Sequence, residues 1–285
     1  DRGILAVSGP DRTDFLQGLV SNDIGKVAPG HAVYAALLTP QGKYLHDFFI
    51  SEAVTGEGAE TFLLDCELGG IAALQKRLSM YKLRADVGLE DRSGDFTVAA
   101  IFGERSVETT LEGIAVYADP RLAKAGVRCI LTKADAKTIL EKAGFTAAEP
   151  VDYDRLRLTL GLPDATRDLI PEKSLLLENG FDELNGIDWD KGCYMGQELT
   201  ARTKYRGLVK KRLMPVTFAD PPPEPGTPIM LGEKEAGEVR SSQLTEDGGI
   251  GLALIRLESL ENSAELLAGG VVVTPQKPDW MTQPD

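Results

Sequence analysis

Histidine and cysteine are scarce in this 285-residue sequence, and that scarcity excludes several kinds of site. With only two histidines, His31 and His46, a metal site built from several histidines is excluded. The three cysteines, Cys66, Cys129 and Cys193, lie more than sixty positions apart, which is the spacing of neither a disulfide framework nor a zinc ribbon. We therefore expect a reducing compartment, and we assign no residue as a metal ligand.

Long apolar runs are also lacking. The longest, such as 32–38 and 249–255, are far shorter than the roughly 18 residues of a membrane-spanning helix. The first five residues lack the basic-then-apolar layout of a secretory signal. These absences predict a protein that does not associate with membranes.

The remaining composition is that of a folded protein. Hydrophobic residues make up 42% of the chain and charged residues 26%, which is enough apolar matter for a substantial core. The formal net charge is −13, which argues against nucleic acid as a partner of the whole surface.

The order of predicted elements indicates an α+β fold. A strand at 4–7 precedes a helix that begins after Asp11 as N-cap, and a hairpin follows at 32–38 and 44–50. Further strands are predicted at 61–66, 86–90, 96–102 and 127–132, and helices at 70–81, 134–143 and 152–160. Strands and helices do not alternate strictly, so a doubly wound parallel sheet is disfavoured.

The pattern changes after Gly207. Short β-like runs at 208–218, 228–231, 237–241, 250–257 and 271–274 predict a small barrel or sandwich. The proline-rich run 219–226 is interpreted as a loop inside it. We therefore divide the chain into an α+β region at 1–207, with two subdomains, and a C-terminal β-barrel domain at 208–285.

The strongest candidate for chemistry is the stretch 191–198, Lys-Gly-Cys-Tyr-Met-Gly-Gln-Glu. Cys193 lies between two glycines and is predicted to be on a loop. Seven basic residues and one acid stand between Lys191 and Arg212. Nearby cations would favour the thiolate of Cys193 and form an anion site, whereas the alternative is a solvated segment that pairs with acids elsewhere.

Two acids are further candidates. Asp47 is flanked by Leu45, Phe48 and Phe49, and a carboxylate in such surroundings would have a raised pKa and exchange protons. The alternative for Asp47 is a strand-edge charge facing water. Glu178 follows three leucines and projects into a cavity or, alternatively, belongs to a helix end at Asn179. Cys66 and Cys129 lie in apolar runs and are interpreted as packing residues.

These residues resemble a known family. The stretch 191–198 is similar to the K-G-C-Y-x-G-Q-E signature of the YgfZ-type folate-binding proteins, which belong to the aminomethyltransferase (glycine-cleavage T-protein) superfamily. The resemblance covers about residues 4–212 firmly and the β-rich tail more loosely. Other matching segments are 15–19, Asn22-Asp23, 38–43, Tyr81-Lys82-Leu83-Arg84, Arg157, 161–163 and 201–207.

The resemblance implies a cloverleaf of α+β subdomains around a channel that binds tetrahydrofolate, closed by a C-terminal β-barrel. It implies a monomeric accessory factor for iron–sulfur cluster assembly or repair, which acts with iron–sulfur client or assembly proteins. The compartment would be the bacterial cytoplasm, or the mitochondrial matrix in a eukaryote. Activity would depend on Cys193, with Lys191 shaping its loop. The resemblance also implies cofactor contacts: Glu178 for the pterin, Arg202 or Arg206 for the folate glutamate, and Tyr194 and Gln197.

Two other functions remain open. Asp47 aligns with the second acid of an Asp-Asp pair in true aminomethyltransferases, where it would position the folate nitrogen that receives the one-carbon unit. His46 replaces the first acid, which makes a glycine-cleavage aminomethyltransferase the second choice. An RNA-binding module that uses 202–212 is the third, and the net charge of −13 disfavours it.

Overall fold

The computed structural model describes residues 1–53, 61–103, 111–246, 248–261 and 265–282. The chain forms two compact units. The first unit contains residues 1–40, 45–148 and 184–197, and the second contains 41–44, 149–183 and 198–285. No helix among the described residues is long and apolar enough to span a membrane.

The first unit is built on a five-stranded sheet in the order β2-β3-β4-β1-β5. Its strands are β1 (Arg2–Ser8), β2 (Val33–Leu38), β3 (Tyr44–Glu52), β4 (Thr61–Glu67) and β5 (Gly88–Asp91). Central strand β1 pairs antiparallel with both β4 and β5. All five strands follow the predicted positions to within a few residues.

Two helices cover this sheet. They are α1 (Arg12–Gln17) and α2 (Ile71–Lys82), and their apolar residues Leu16, Leu74 and Leu78 are fully buried in one core with the sheet. Asp11 occupies the N-cap position of α1, as predicted, but its side chain does not cap the helix. Its carboxylate accepts a hydrogen bond from the backbone N–H of Asp86 at 2.8 Å and makes none to α1.

A three-stranded sheet completes the first unit. It comprises β6 (Phe96–Ile101), β7 (Ala115–Ala118) and β8 (Val127–Thr132) in the order β6-β8-β7, followed by α3 (Ala136–Lys142). The predictions missed β7, which is four residues long and too short to show a clear alternation.

The second unit joins short helices to a closed barrel. The helices are α4 (Pro150–Leu160), α5 (Ala165–Asp168) and α6 (Gln197–Tyr205), whose first residue belongs to the first unit. Helix α4 ends at Gly161, whose φ of +76° favours glycine. A Cβ at Gly161 would also lie 2.9 Å from the Pro215 ring, so the position has room only for glycine.

The barrel has six strands in the closed order β10-β11-β12-β9-β14-β13. These are β9 (Lys211–Phe218), β10 (Pro228–Leu231), β11 (Lys234–Thr245), β12 (Gly248–Arg256), β13 (Leu266–Ala268) and β14 (Val271–Pro275), with the short helix α7 (Leu257–Leu260) after β12. The proline-rich run 219–226 connects β9 to β10, as predicted. The predictions missed the three-residue β13, which closes the barrel.

Candidate functional site

Cys193 is the one exposed thiol of the three in the chain. Cys66 and Cys129 are buried, and burial raises the pKa of their thiols to about 12 and about 11 respectively. Both therefore stay protonated near neutral pH and behave as small hydrophobic side chains. The packing function predicted for these two cysteines agrees with their burial.

The loop before Cys193 is anchored by Asp188. One carboxylate oxygen of Asp188 accepts hydrogen bonds from the backbone N–H groups of Asp190 and Lys191, at 2.8 and 3.0 Å. The other oxygen lies 2.6 Å from the ammonium group of Lys26, and this ion pair lowers the pKa of Asp188 although burial opposes it. The backbone N–H of Asp188 donates to Ser21. The loop is thus tied to the segment that follows α1.

Lys191 ties the loop to the same segment. Its side chain is buried, and its ammonium group donates hydrogen bonds to the carbonyl oxygens of Val20 at 2.7 Å and Asn22 at 2.5 Å. Burial lowers the pKa of Lys191 to about 8, although Asp23 and Asp188 oppose the shift. The Lys191 ammonium group is therefore engaged by backbone carbonyls, and it does not contribute to the exposed anion site predicted from the sequence.

Residues after Cys193 are anchored as well. The buried ring of Tyr194 lies beneath the Lys191 ammonium, 5.3 Å from ring centroid to nitrogen. The backbone N–H of Met195 donates to the carbonyl of Gly18 at 3.2 Å, and that of Gln197 donates to the carbonyl of Tyr194 as α6 begins. Cys193 thus projects into solvent from a loop that is fixed on both sides. We call residues 188–195 the clamped loop.

Asp47 lies on β3 of the same unit, half-buried beside a tyrosine. The hydroxyl of Tyr34, on the neighbouring strand β2, donates a hydrogen bond to Asp47 at 2.8 Å. This partner holds the carboxylate in place, so Asp47 differs from a freely solvated strand-edge charge. Its neighbour His46 has its pKa lowered to about 4 by burial and by Arg77, and is neutral near pH 7.

Sequence reasoning missed a buried charge cluster next to Asp47 on this sheet. Asp65 accepts hydrogen bonds from Arg2 at 2.7 Å and from Arg128 at 2.6 Å, and Arg128 stacks 4.1 Å from the centre of the Phe49 ring. These cations lower the pKa of Asp65 against its complete burial. One signal was present, since Asp65 interrupts the apolar run Phe62-Leu63-Leu64 in mid-strand.

Glu178 lies in the second unit on a single 3₁₀ turn, Leu177–Asn179. Arg212 donates to the carbonyl of Leu177 at 3.1 Å and pairs with Glu183 at 2.5 Å, and this contact fixes the turn. The Glu178 carboxylate is half-buried, and burial raises its pKa although Lys211 and Lys43 oppose the shift. Within the described ranges it accepts no hydrogen bond, so it is available to a donor from outside.

The basic segment divides into paired and unpaired cations. Lys204 pairs with Asp182 at 2.9 Å, which matches the alternative prediction of an acid elsewhere in the chain. Arg202 pairs at 2.8 Å with Glu198, the one acid inside the segment. Arg206 is exposed. It forms no ion pair with any described residue. Of the two arginines predicted for the folate glutamate, Arg206 has the freer charge.

The predicted site residues are distributed over both units. Cys193, Lys191, Tyr194, Gln197 and Asp47 belong to the first unit. Glu178, Arg202 and Arg206 belong to the second. The described part of the chain contains no group of three or more His, Cys, Asp or Glu side chains that could hold a metal ion.

Two family models match the chain in succession. Residues 3–147 match the GCVT N-terminal domain, and residues 210–283 match the C-terminal β-barrel domain of CAF17. The fold is similar to the crystal structure of the glycine cleavage system aminomethyltransferase T from Bartonella henselae, with a TM-score of 0.75 over 96% of this chain and 82% of that one. Identity is 15%, so this likeness concerns the fold alone. The predicted α+β fold of the T-protein type with a C-terminal β-barrel is confirmed.

Full-length relatives define the family more closely. The chain is 34% identical to the mitochondrial iron–sulfur cluster assembly factor IBA57 of Mus musculus, over 98% of this chain and 83% of that protein. It is 33% identical to the Homo sapiens protein of the same name, with the same coverage. The chain belongs to the IBA57 family of iron–sulfur cluster assembly factors.

Proposed function

We propose that this protein is a tetrahydrofolate-binding factor for iron–sulfur cluster assembly or repair, and that its activity depends on Cys193. The exposed Cys193 on its clamped loop carries this proposal. Mitochondrial assembly factors at 34% and 33% identity support the pathway. In a eukaryote the site of action is the mitochondrial matrix, and in a bacterium it is the cytoplasm.

The geometry supports a presented thiol. Hydrogen bonds from Lys191, Asp188 and Met195 fix the chain on both sides of the cysteine. A fixed loop loses little conformational entropy when a partner contacts it, so an exposed side chain at its tip engages at low cost. This arrangement suits a soft sulfur ligand or nucleophile that meets an iron–sulfur client or assembly protein.

The residues present fit a folate in two respects. Glu178 offers a half-buried acceptor with a raised pKa, which suits the adjacent N–H groups of a pterin. Arg206 offers an exposed cation that suits a glutamate carboxylate. Tetrahydrofolate would supply a carrier for a one-carbon unit. These two side chains, with Arg202 of the same unit, form the pterin and glutamate contacts of the proposal. Tyr194 and Gln197, which belong to the first unit, stay predictions from the resemblance.

A specific observation also favours the second candidate, aminomethyl transfer. Tyr34 holds Asp47 in place, as a residue that positions a folate nitrogen requires. His46, neutral and half-buried, stands where the first acid of the pair would be, so only one of the two carboxylates is present. We therefore keep this function second. Release of ammonia from an aminomethyl-lipoyl carrier, unchanged in Cys193→Ser, would favour it over the first.

Calorimetry and thermal shift with tetrahydrofolate test the cofactor part of the proposal. A ligand that binds only the folded state raises the melting temperature, and the stabilisation grows with the logarithm of the ligand concentration above Kd. We expect heat of binding and a raised melting temperature with tetrahydrofolate, and neither with p-aminobenzoate alone. Absence of both effects with tetrahydrofolate would overturn the folate proposal.

A further inference from the structure

The segment Tyr81-Lys82-Leu83-Arg84, which resembles the family pattern, has no part in the proposed function. It covers the last residues of α2 and the two that follow. Leu83 is 90% exposed, more than any other large hydrophobic side chain among the described residues, and Met80 on the preceding turn is 53% exposed. Exposed apolar groups this close together mark interaction sites more often than scattered single ones do.

The backbone of Leu83 is held in an unfavourable conformation. Its φ of +43° and ψ of −101° place it where residues with a side chain are rarely found. Only Glu172 and Asn185 among the other described non-glycine residues have a positive φ. Burial does not compensate Leu83, because its side chain faces water. Strain of this kind at an exposed apolar residue indicates a function for that conformation.

Helix α2 also carries charge of one sign. Residues 71–85 contain Lys76, Arg77, Lys82 and Arg84 and no acid, in a chain with a net charge of −13. None of these four cations forms an ion pair with a described residue. Strand β5 packs beside α2 but its acids are engaged, since Glu90 lies 4.0 Å from Arg92 and Asp91 accepts from Ser93.

We propose that Lys76, Met80, Lys82, Leu83 and Arg84, the α2 surface, bind an acidic segment of a partner protein that also carries an apolar side chain. The exposed side chains of Met80 and Leu83 would contact a hydrophobic residue of the partner, and the cations around them would pair with carboxylates on either side of that residue. The exposed side chains of Leu83 and Met80 favour a protein partner over RNA, because the phosphates of RNA would contact only the cations of this surface. The identification of the partner as an iron–sulfur client or assembly protein rests on the proposed function. The proposal that the α2 surface binds such a segment does not rest on it.

Fluorescence anisotropy with a labelled peptide of glutamate, aspartate and leucine tests this surface on the full chain. We expect the wild type to bind the peptide, with an affinity that falls as salt increases. Leu83→Gly and Arg84→Glu should each lower the peptide affinity about tenfold. The matched controls are Leu244→Ser, another exposed leucine, and Lys234→Glu, another exposed lysine, and both should bind like the wild type. Cys193→Ser should also bind like the wild type, which separates this test from that of the proposed function.

Leu83→Gly provides a second readout. Glycine adopts positive φ without strain, so this variant should melt at the wild-type temperature or above it while it loses the peptide. Equal binding by all variants would overturn the proposal, as would a lower melting temperature for Leu83→Gly. Binding to phosphatidylcholine–cardiolipin vesicles or to single-stranded RNA in place of the peptide would overturn it too. So would a dimer in sedimentation velocity that Leu83→Gly abolishes.

Discussion

The ammonium nitrogen of Lys191 lies 2.5 Å from the carbonyl oxygen of Asn22. A second carbonyl, that of Val20, accepts from the same ammonium group. The charged group of Lys191, two positions before Cys193, is therefore used in hydrogen bonds to backbone oxygens. From the sequence we expected the Lys191 charge to favour the thiolate of Cys193. In the structure, Lys191 instead holds the clamped loop, which presents the Cys193 thiol to solvent.

Lys191→Met removes both hydrogen bonds and should destabilise the fold. Two buried carbonyl groups lose a charged donor, and an unsatisfied buried group costs about 1–3 kcal/mol. The free energy of unfolding from urea titrations measures the loss. Lys210→Met, at an exposed lysine, is the control and should change it little. A Lys191→Met variant as stable as this control would contradict the clamp.

The lowered pKa of Lys191 predicts a pH dependence. The folded protein loses the Lys191 proton near pH 8, whereas an unfolded lysine keeps it to about 10.4. Between these values the unfolded state binds more protons, so stability rises with pH. A neutral amine still has two N–H donors for its two carbonyls. Urea titrations from pH 7 to 10 should show the wild type gaining stability relative to Lys191→Met, and parallel curves would contradict the shift.

Cys193 should react with alkylating reagents far faster than Cys66 and Cys129 in the native protein. It is exposed, whereas the other two are buried with thiol pKa values of about 12 and about 11. We expect a rate difference on the order of a hundredfold at pH 8, which mass spectrometry of peptides after timed iodoacetamide treatment measures. In urea the three rates should converge. Equal rates in the native state would remove the distinction between the cysteines.

Replacement of Glu178 by Gln should weaken tetrahydrofolate binding more than replacement of Arg206 by Gln. The amide puts N–H groups where the pterin presents its own, and unpaired buried donors cost about 1–3 kcal/mol. An exposed ion pair is worth about 0–1 kcal/mol. Titration calorimetry of both variants measures the two losses. A larger effect at Arg206 would assign recognition to the glutamate end and contradict the pterin contact.

Asp65 should be essential for the stability of the first unit. Asp65→Asn leaves Arg2 and Arg128 without their carboxylate, and loss of one partner of a buried ion pair costs about 3–5 kcal/mol. The exposed pair of Asp95 with Arg92 supplies the control, Asp95→Asn, which should cost under about 1 kcal/mol. Differential scanning calorimetry compares the two.

Acid should remove the contribution of Asp65. Its pKa in the folded protein is lowered, so the stabilisation is complete above the unfolded value of about 3.9 and is lost as the pH falls further. The wild type should therefore lose its advantage over Asp65→Asn below about pH 4. An advantage that persists unchanged to pH 2 would contradict the ionised state of Asp65.

Local patterns predicted the elements and the candidate cysteine. The turn at 39–42, the apolar spacing in α2 and the short β-runs after Gly207 depend on neighbouring residues, and each corresponds to an observed element. The loop position of Cys193 follows in the same way from Gly192 beside it and Gly196 three positions later. The elements that were missed, β7 and β13, have four and three residues and depend on the neighbours with which they pair.

Contacts between distant residues were not predictable. The partners of Asp65 are 63 positions away on either side, and the carbonyls that hold Lys191 are 169 and 171 positions from it. The side-chain partner of Asp11 was not predictable for the same reason: Asp11 lies at the predicted N-cap position, but its carboxylate accepts from a backbone N–H 75 positions along the chain. Charge spacing in the sequence indicated that cations were present but not which ones would be buried.

The dependence on Cys193 is tested most directly in cells that lack their own IBA57-type factor and receive this chain. Wild-type protein should restore the activity of an iron–sulfur enzyme, Cys193→Ser should fail at equal protein level, and Cys66→Ser should restore it to the extent that it folds. Restoration by Cys193→Ser to the wild-type level would contradict the account.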